Sequence, residues 1–350
     1  MYSPKFTITN KILKNIGIIE GAREVIINAP LVPAYEKKFR EEAIVRTVHH
    51  GTHIEGNELN YTEASQVLKG QPIVGRDRDI QEVINYRNVI NFLDYVAKGE
   101  VSQGKITEAV VKKIHALTVE KLLPTEQCGV YRKTQVVVKN ASTGEITFRP
   151  PPAIEVPYQV EDFLDWLSSL PKDEIHPVIK AGIIHYELVR IHPYVDGNGR
   201  MARSTATLSL FLENYDIKRF FSLEEYYDRD APRYYEALKS ASSGDLTKWL
   251  EYFTEGLAIE LTRIKEKVQR LSTDVHLLKE KLGGKQVFLS ERQIAIMEYI
   301  QRVGYLKNEG FADLFPKISE DTILRDLHDL MQKGIIKKEG KTKAARYMLR

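Results

Sequence analysis

The chain has 350 residues, with 51 Lys and Arg against 48 Asp and Glu for a net charge of +3, and 43% of it is hydrophobic. That length suits a main domain of roughly 200 residues with smaller units appended, and a charge so close to balance does not by itself point to nucleic acid or a membrane surface. A single cysteine, Cys128, excludes an internal disulfide framework and suits a reducing compartment, while the absence of a signal-peptide core or a bilayer-length apolar run makes the chain read as cytoplasmic with no membrane partner.

Apolar spacing predicts helices over 33–50, 62–68, 80–97 and 107–122. Cys128 follows in a stretch with no motif around it and reads as a structural thiol. One segment reads as strand. TQVVVKNASTGEITFRPP alternates branched and polar residues about the turn at 140–144 and is stopped by Pro150, Pro151 and Pro152, which makes it a β-hairpin. Helical spacing resumes over 156–170, 177–190, 201–213, 231–241 and 246–282. Within the last of these, Leu257, Leu261, Ile264, Val268, Leu271, Val275, Leu278 and Leu282 fall on a heptad seam. It suits either a linker helix lying on the body of the protein or self-association, so a homodimer is worth testing. Gly283 and Gly284 end that helix.

From about residue 288 the chain makes a unit of its own. SERQIAIMEYIQRV starts with a Ser cap, EGFADLF is a short helix, and SEDTILRDLHDLMQKG is a third, with Ser319 as cap and Gly334 as stop. IIKKEGKTKAARYMLR alternates like a two-stranded wing, and the whole resembles a winged helix-turn-helix. Such a module sets its third helix in the major groove of DNA. Here that helix carries Arg325 together with Glu320, Asp321, Asp326 and Asp329, acids that repel phosphate unless they face away. Lys337, Lys338, Lys341, Lys343 and Arg346 concentrate the positive charge in the wing. DNA is therefore one candidate partner and protein interaction the other. The fold class expected is mainly α, a helical bundle with a hairpin flap and a small C-terminal winged helix-turn-helix domain.

Two apolar helices are interrupted at 191–203 by IHPYVDGNGRMAR. Asp196, Gly197, Asn198 and Gly199 let the backbone turn sharply and keep side chains away from an approaching phosphate. Asn198 suits the N-cap of the next helix, whose free amides and dipole make an anion cup. Arg200 and Arg203, three apart, share a face and can grip phosphate oxygens. Asp196 is a hard carboxylate suited to Mg²⁺, and His192 is placed to take a proton from a hydroxyl. Base, metal ligand, anion cup and charge clamp in one turn suggest phosphoryl or nucleotidyl transfer.

This stretch resembles the signature of Fic-domain proteins, His-Pro-Phe-x-Asp/Glu-Gly-Asn-Gly/Lys-Arg-x-x-Arg, and matches it at every fixed position except that Tyr194 replaces Phe. The likeness extends over about 101–257, through ITEAVVKKIHALTVEKLL, the CGVYRK stretch with its hairpin, and APRYYEALKSASSGDLTKWLEYF. The resemblance implies a Fic-type core at 101–256, preceded by a helical region at 1–100 and followed by a linker helix at 257–285 and the winged unit at 286–350. It implies transfer of AMP from ATP, with Mg²⁺, to a Ser, Thr or Tyr hydroxyl of a target protein or of the chain itself. His192 would be the base and Asp196 the metal ligand. Gly197, Asn198 and Gly199 would form the cup, Arg200 would contact the phosphates, and Arg203 would hold the γ-phosphate. A flap carrying Val136, Val137, Val138, Ile146 and Phe148 would dock the target as an added strand. Tyr226, Tyr227, Tyr234 and Tyr235 lie where the family closes its adenine pocket.

Upstream, HHGTHIEGN at 49–57 resembles the end of the family's inhibitory helix, with Gly51 where a Ser or Thr is usual. On that likeness Glu55 pairs with Arg203 and occupies the clamp the γ-phosphate needs. His49 and His53 are one turn apart, but no third ligand at suitable spacing supports zinc. The readings that compete with AMP transfer are removal of AMP at the same site, transfer from another nucleotide, and a DNA-binding regulator working through the winged helix.

Overall fold

A computed structural model describes residues 2–29, 31, 33–139, 144, 146–171, 173–281, 289–316, 318–340 and 345–350. The chain divides into two compact units, Met1–Glu24 with Glu42–Ile264, and Val25–Glu41 with Lys265–Arg350. The elements in chain order are α1 (Asn10–Asn28), α2 (Pro33–His53), α3 (Tyr61–Leu68), α4 (Asp77–Ala97), α5 (Glu108–Thr118), β1 (Val138–Lys139) and β2 (Ile146–Phe148). They continue with α6 (Val156–Ser169), α7 (Pro177–Ile191), α8 (Asn198–Leu212), α9 (Leu223–Arg229), α10 (Ala231–Ser240) and α11 (Thr247–Lys281).

The first unit is built around α7. Its spacing reads as amphipathic, yet Val178, Ile179, Ala181, Ile183, Ile184, Leu188 and Ile191 are all buried, so apolar residues cover it on every side and it is the central helix. Trp249 of α11 reaches it closely enough for its indole N–H to donate to the Gly182 carbonyl at 2.8 Å. A Cβ at Gly182 would stand 2.7 Å from Leu250 Cδ2, so only glycine allows this approach. The one buried imidazole on α7, His185, is paired with the Tyr234 hydroxyl at 2.9 Å, and burial holds its pKa well below the usual range.

Helix α1 has no counterpart among the predicted elements. Gly17 and Gly21 weaken its intrinsic propensity, and long-range contacts fix it instead. The Leu246 amide donates to the Lys5 carbonyl at 2.8 Å, Thr9 Oγ1 to Glu251 at 2.7 Å, and Asn15 Nδ2 to Thr254 at 3.0 Å. The hairpin is antiparallel, with Val138 opposite Phe148, Lys139 opposite Ile146 and a register shift between them. Of the expected flap residues, Val138, Ile146 and Phe148 lie in the strands and Val136 and Val137 lead into them, while 140–143 and 145 of its turn lie outside the described residues.

The second unit carries α12 (Glu291–Val303), β3 (Leu306–Lys307), α13 (Phe311–Leu314), α14 (Glu320–Gln332), β4 (Ile336–Glu339) and β5 (Arg346–Leu349). The wing has three strands in the order β3-β5-β4, because Leu306 and Lys307 pair with Tyr347 and Arg346. Ser290 caps α12 in a reciprocal box with Gln293. Ser319 stands at the N-cap of α14, but its hydroxyl bonds the Thr322 hydroxyl at 2.9 Å and caps no backbone amide. Three of the acids on α14 are engaged by the protein, Glu320 accepting from Asn308 at 3.0 Å at the exposed start of the helix. Asp326 pairs with Arg292 at 2.6 Å, and Asp329 accepts from Gln293 and Lys333, each at 2.5 Å. Lys341 and Lys343 lie outside the described residues.

On the heptad seam Leu257, Leu261, Ile264, Val268 and Leu271 are buried within a single chain, so this half is already used. Positions 275, 278 and 282 lie outside the described side chains. Among the described residues no helix is long and apolar enough to cross a membrane.

Candidate active site

The turn between α7 and α8 is held by its own short-range bonds. His192 ends α7 in the left-handed region, φ 51°, and the loop returns through Gly197, φ 75°, which serves as N-cap of α8. Asn198 is the first helical residue and not the cap expected from the sequence. Its amide faces back into the loop, accepting from the Tyr194 N–H and donating to the Tyr194 carbonyl, both at 2.9 Å. Cap geometry is decided by the glycine's positive φ, which frees Asn198 to close the loop on itself. The amides of Gly199 and Arg200, in the first turn, have no acceptor within the helix, which leaves an anion cup at the N-terminus of α8.

Two residues that the sequence reading assigned no role anchor this turn. Arg132, almost fully buried, donates through Nε to the His192 carbonyl at 2.8 Å and through Nη2 to the Pro151 carbonyl at 2.6 Å, tying the loop to the base of the hairpin. His115 of α5 stacks on Tyr194, with centroids 3.6 Å apart and planes 4° from parallel. Its Nδ1 accepts from the Gly129 amide at 2.9 Å, so Nε2 carries the proton toward the Asp196 carbonyl at 3.0 Å. Burial pushes the pKa of His115 down to about 4 and keeps it neutral in this role. The Tyr194 ring thus fills the place an aromatic needs, and its buried hydroxyl finds no partner among the described residues.

His192 points Nδ1 at the Val189 carbonyl, 3.2 Å away. That contact places the ring proton on Nδ1 and leaves Nε2 to accept another. Burial lowers its pKa, although Glu55 and Asp196 pull the other way, so the neutral form that a base requires is favoured.

The two arginines of the motif are both buried and both answered by carboxylates. Arg203 donates from Nη2 to Glu55 at 2.8 Å and to the Gly51 carbonyl at 3.0 Å. Burial opposes its charge, yet Glu55, with Tyr234 and Tyr86 close by, holds its pKa well above the usual value. Arg200 lies 3.3 Å from Glu82 of α4, and Glu82 also accepts from Asn57 at 2.9 Å. Arg200 Nη1 makes the ion pair to Glu82, while Arg200 Nε and Arg203 Nε are buried with no hydrogen-bond partner among the described residues. Orphaned guanidinium donors beside a helix N-terminus fit an anionic ligand.

Glycine makes the Glu55 contact possible at two places. A Cβ at Gly199 would come within 2.4 Å of Glu55 Oε1, and one at Gly51 within 2.2 Å of Tyr86 Cε1. The second explains why a Ser or Thr is not found at 51: the Gly51 backbone carbonyl takes up the Arg203 bond while the Tyr86 ring fills the side-chain space.

Asp196 is 42% exposed, accepts from the Gly197 amide at 2.6 Å, and lies 3.3 Å from Arg78. Among the described residues no group of three or more His, Cys, Asp or Glu is arranged to hold a metal. One accessible carboxylate beside orphaned anion donors fits Mg²⁺ that keeps water and phosphate oxygens as its other ligands. Of the four tyrosines expected near adenine, Tyr226, Tyr227 and Tyr234 are buried in an aromatic cluster with Trp249 and Tyr252. Tyr235 is 47% exposed and its hydroxyl lies 3.5 Å from the Ile54 carbonyl.

Comparison with known proteins bears on the domains and the fold. Residues 105–210 match the model of the Fic/DOC family, and residues 292–340 that of the DeoR-like helix-turn-helix domain. A protein adenylyltransferase Fic from Nematostella vectensis is 28% identical over 240 residues, covering 67% of this chain and 52% of that protein. The chain spans about half the length of the curated relatives it matches. Among solved structures, a Fic family protein from Desulfovibrio desulfuricans G20 aligns with a TM-score of 0.66 at 25% identity, covering 100% of this chain and 98% of the other. Fic-1 from C. elegans (residues 134–508) shares the fold, with a TM-score of 0.58 at 24% identity over 76% of this chain and 74% of its own.

Proposed function

We propose, for a chain that carries a Fic/DOC-family domain over residues 105–210, that it transfers AMP from ATP to a Ser, Thr or Tyr hydroxyl of a protein. The observation that carries this reading is the pair of orphaned Nε donors on Arg200 and Arg203 of α8, the helix entered by a loop that begins with an imidazole whose proton sits on Nδ1. The cup formed at Gly197, Asn198 and Gly199, with Arg200, binds the phosphates, and Arg203 takes the γ-phosphate once Glu55 leaves it. His192 Nε2 removes the proton of the target hydroxyl as that oxygen bonds to the α-phosphorus, and the bond to pyrophosphate breaks. Asp196 would hold Mg²⁺, which would supply charge neutralisation on the phosphates. The exposed edge near Ile146 presents the target backbone as an added strand, and Tyr235 is the one of the four tyrosines with surface to offer adenine.

In the resting state Glu55 keeps Arg203 from the γ-phosphate, so the enzyme is autoinhibited. The test is intact-protein mass spectrometry of the chain and of candidate targets with ATP and Mg²⁺. An added AMP in Glu55→Gly, weaker in wild type and lost in Glu55→Gly with His192→Ala, is the expected pattern. Loss of AMP from a modified target with no addition from ATP would instead select the reverse reaction, and a different mass increment another nucleotide donor.

The winged unit supports DNA as a second partner. Asp326 and Asp329, which the sequence left facing an unknown direction, are engaged by Arg292, Gln293 and Lys333, while Arg325, Lys337, Lys338 and Arg346 are exposed. Binding in a gel shift at low salt that weakens steeply as salt rises is the expected result; no binding at low salt removes DNA from the account.

A further inference from the structure

The end of α2 is fastened to α9 by a histidine–carboxylate cluster that AMP transfer does not use. Asp228, whose side chain is 8% exposed, accepts from His50 Nδ1 at 2.7 Å and from His53 Nδ1 at 2.8 and 3.0 Å through its two oxygens. Burial by itself raises the pKa of this carboxyl, but the bonds from His50 and His53 outweigh it and hold Asp228 below the usual carboxylate range. His49 packs its ring 4.7 Å from that of His50 and 5.6 Å from that of His53, closing the cluster on one side. The cluster is a hydrogen-bonded latch and not a metal set.

Its position gives it a consequence at the active site. Glu55 follows His53 by two residues, and the backbone between them is fixed: the Glu55 amide donates to Thr52 at 3.0 Å and the Gly56 amide to His53 at 2.8 Å. Helix α9 grips the same helix one turn earlier, where Glu225 accepts from Arg46 Nη1 at 2.8 Å. The Glu55 carboxylate therefore reaches Arg203 from a backbone that α9 holds on the N-terminal side, while α4 holds it on the C-terminal side, where Asn57 Nδ2 donates to the Asp79 carbonyl at 3.0 Å and to Glu82 at 2.9 Å.

We propose that Asp228, with His50 and His53, is a positioning site for the inhibitory carboxylate, setting how firmly Glu55 holds Arg203 and so how much ATP must overcome. This rests on the autoinhibition reading above. A ligand that binds only the released state has its affinity lowered by the fraction of molecules in the closed one. Loosening the latch reduces that fraction without touching any group that contacts nucleotide.

The experiment measures ATP binding to the full chain by calorimetry, with Mg²⁺ and in the His192→Ala background so that nothing turns over. Glu55→Gly should tighten binding, and Asp228→Asn, which keeps the side-chain size and removes the charge, should tighten it by about fivefold. In chains that already carry Glu55→Gly, Asp228→Asn should change binding by less than about twofold. Amide exchange at 54–57 should quicken in Asp228→Asn as the end of α2 loosens. Should Asp228→Asn fail to fold, His53→Asn, at a half-exposed side chain, should give the same pattern at smaller size. Equal shifts in both backgrounds would show an effect on the pocket and overturn the latch, as would no shift while Glu55→Gly tightens binding. No tightening by Glu55→Gly itself would overturn autoinhibition and the latch with it.

Discussion

The turn at 192–203 and the segment at 49–57 meet at one guanidinium, that of Arg203, but they are built on different scales. The turn closes on itself through partners a few residues away, Asn198 clamping Tyr194 four positions back and His192 reaching Val189 three back, and only its outer side is braced from afar, by Arg132 and His115. The segment at 49–57 depends on partners 148 positions away for Glu55 and 175 or more for the histidines. Short-range bonds survive local opening of the rest of the chain, whereas contacts between distant elements are lost together when one element moves. The difference suits a site that must keep its geometry while its blockade comes and goes.

The largest expected effect breaks the catalytic half alone. His192→Ala in the Glu55→Gly background should lower AMP transfer by at least about 10²–10⁴-fold while leaving ATP binding near its parent value; retained transfer, read by mass spectrometry, would falsify the base assignment. Glu55→Gly breaks the other half and should raise transfer and ATP affinity together by about 5–150-fold, the span of ordinary coupling energies. Asn198→Ala tests whether the turn carries its own order. Losing both bonds to the Tyr194 backbone should destabilise the chain by about 1–3 kcal/mol in chemical denaturation, since a buried amide and carbonyl are left unpaired. No change in denaturation midpoint would mean that the loop is held from outside.

Acidity sharpens the comparison further. Burial depresses the His192 pKa, so its neutral form persists to lower pH than an ordinary imidazole allows, and activity should be lost only as pH falls through that depressed value. Glu55 acts to raise it, so the acid limb of kcat/KM should lie lower in Glu55→Gly than in wild type; the reverse order contradicts their electrostatic contact. The smallest effect belongs to Tyr194→Phe. Its hydroxyl is buried with no partner among the described residues, so removing it should leave stability within about 0.5 kcal/mol or raise it slightly. A loss above about 1 kcal/mol would mean that the hydroxyl is bonded after all.

What the sequence made legible follows the same division of scale. The candidate base, cup and clamp between 192 and 203 are legible because those groups are neighbours along the chain, and the pairing of Glu55 with Arg203 is legible only because its surroundings resemble a known segment. Glu82 gave no signal, since its partner Arg200 lies far along the chain and nothing in DIQEVINY marks one acid as buried. Arg132 and His115 lie within the resembling stretches but carry no signal of their role, because a backbone carbonyl as partner has no sequence code. Asp228 was likewise silent, although its histidines had been noticed. Helix α1 was missed because packing supplies its stability, and α9 because seven residues are too few for periodicity to show.

The Gly51 carbonyl has a consequence for how the enzyme would wake. When the Glu55 side chain swings away, the bond from Arg203 Nη2 to that carbonyl can remain. The guanidinium then loses its competitor but not its bearing, still aimed into the cup as the terminal phosphate arrives. For as long as α2 holds Gly51 there, loosening confined to the end of the helix frees the acid with the receiving group already standing in place.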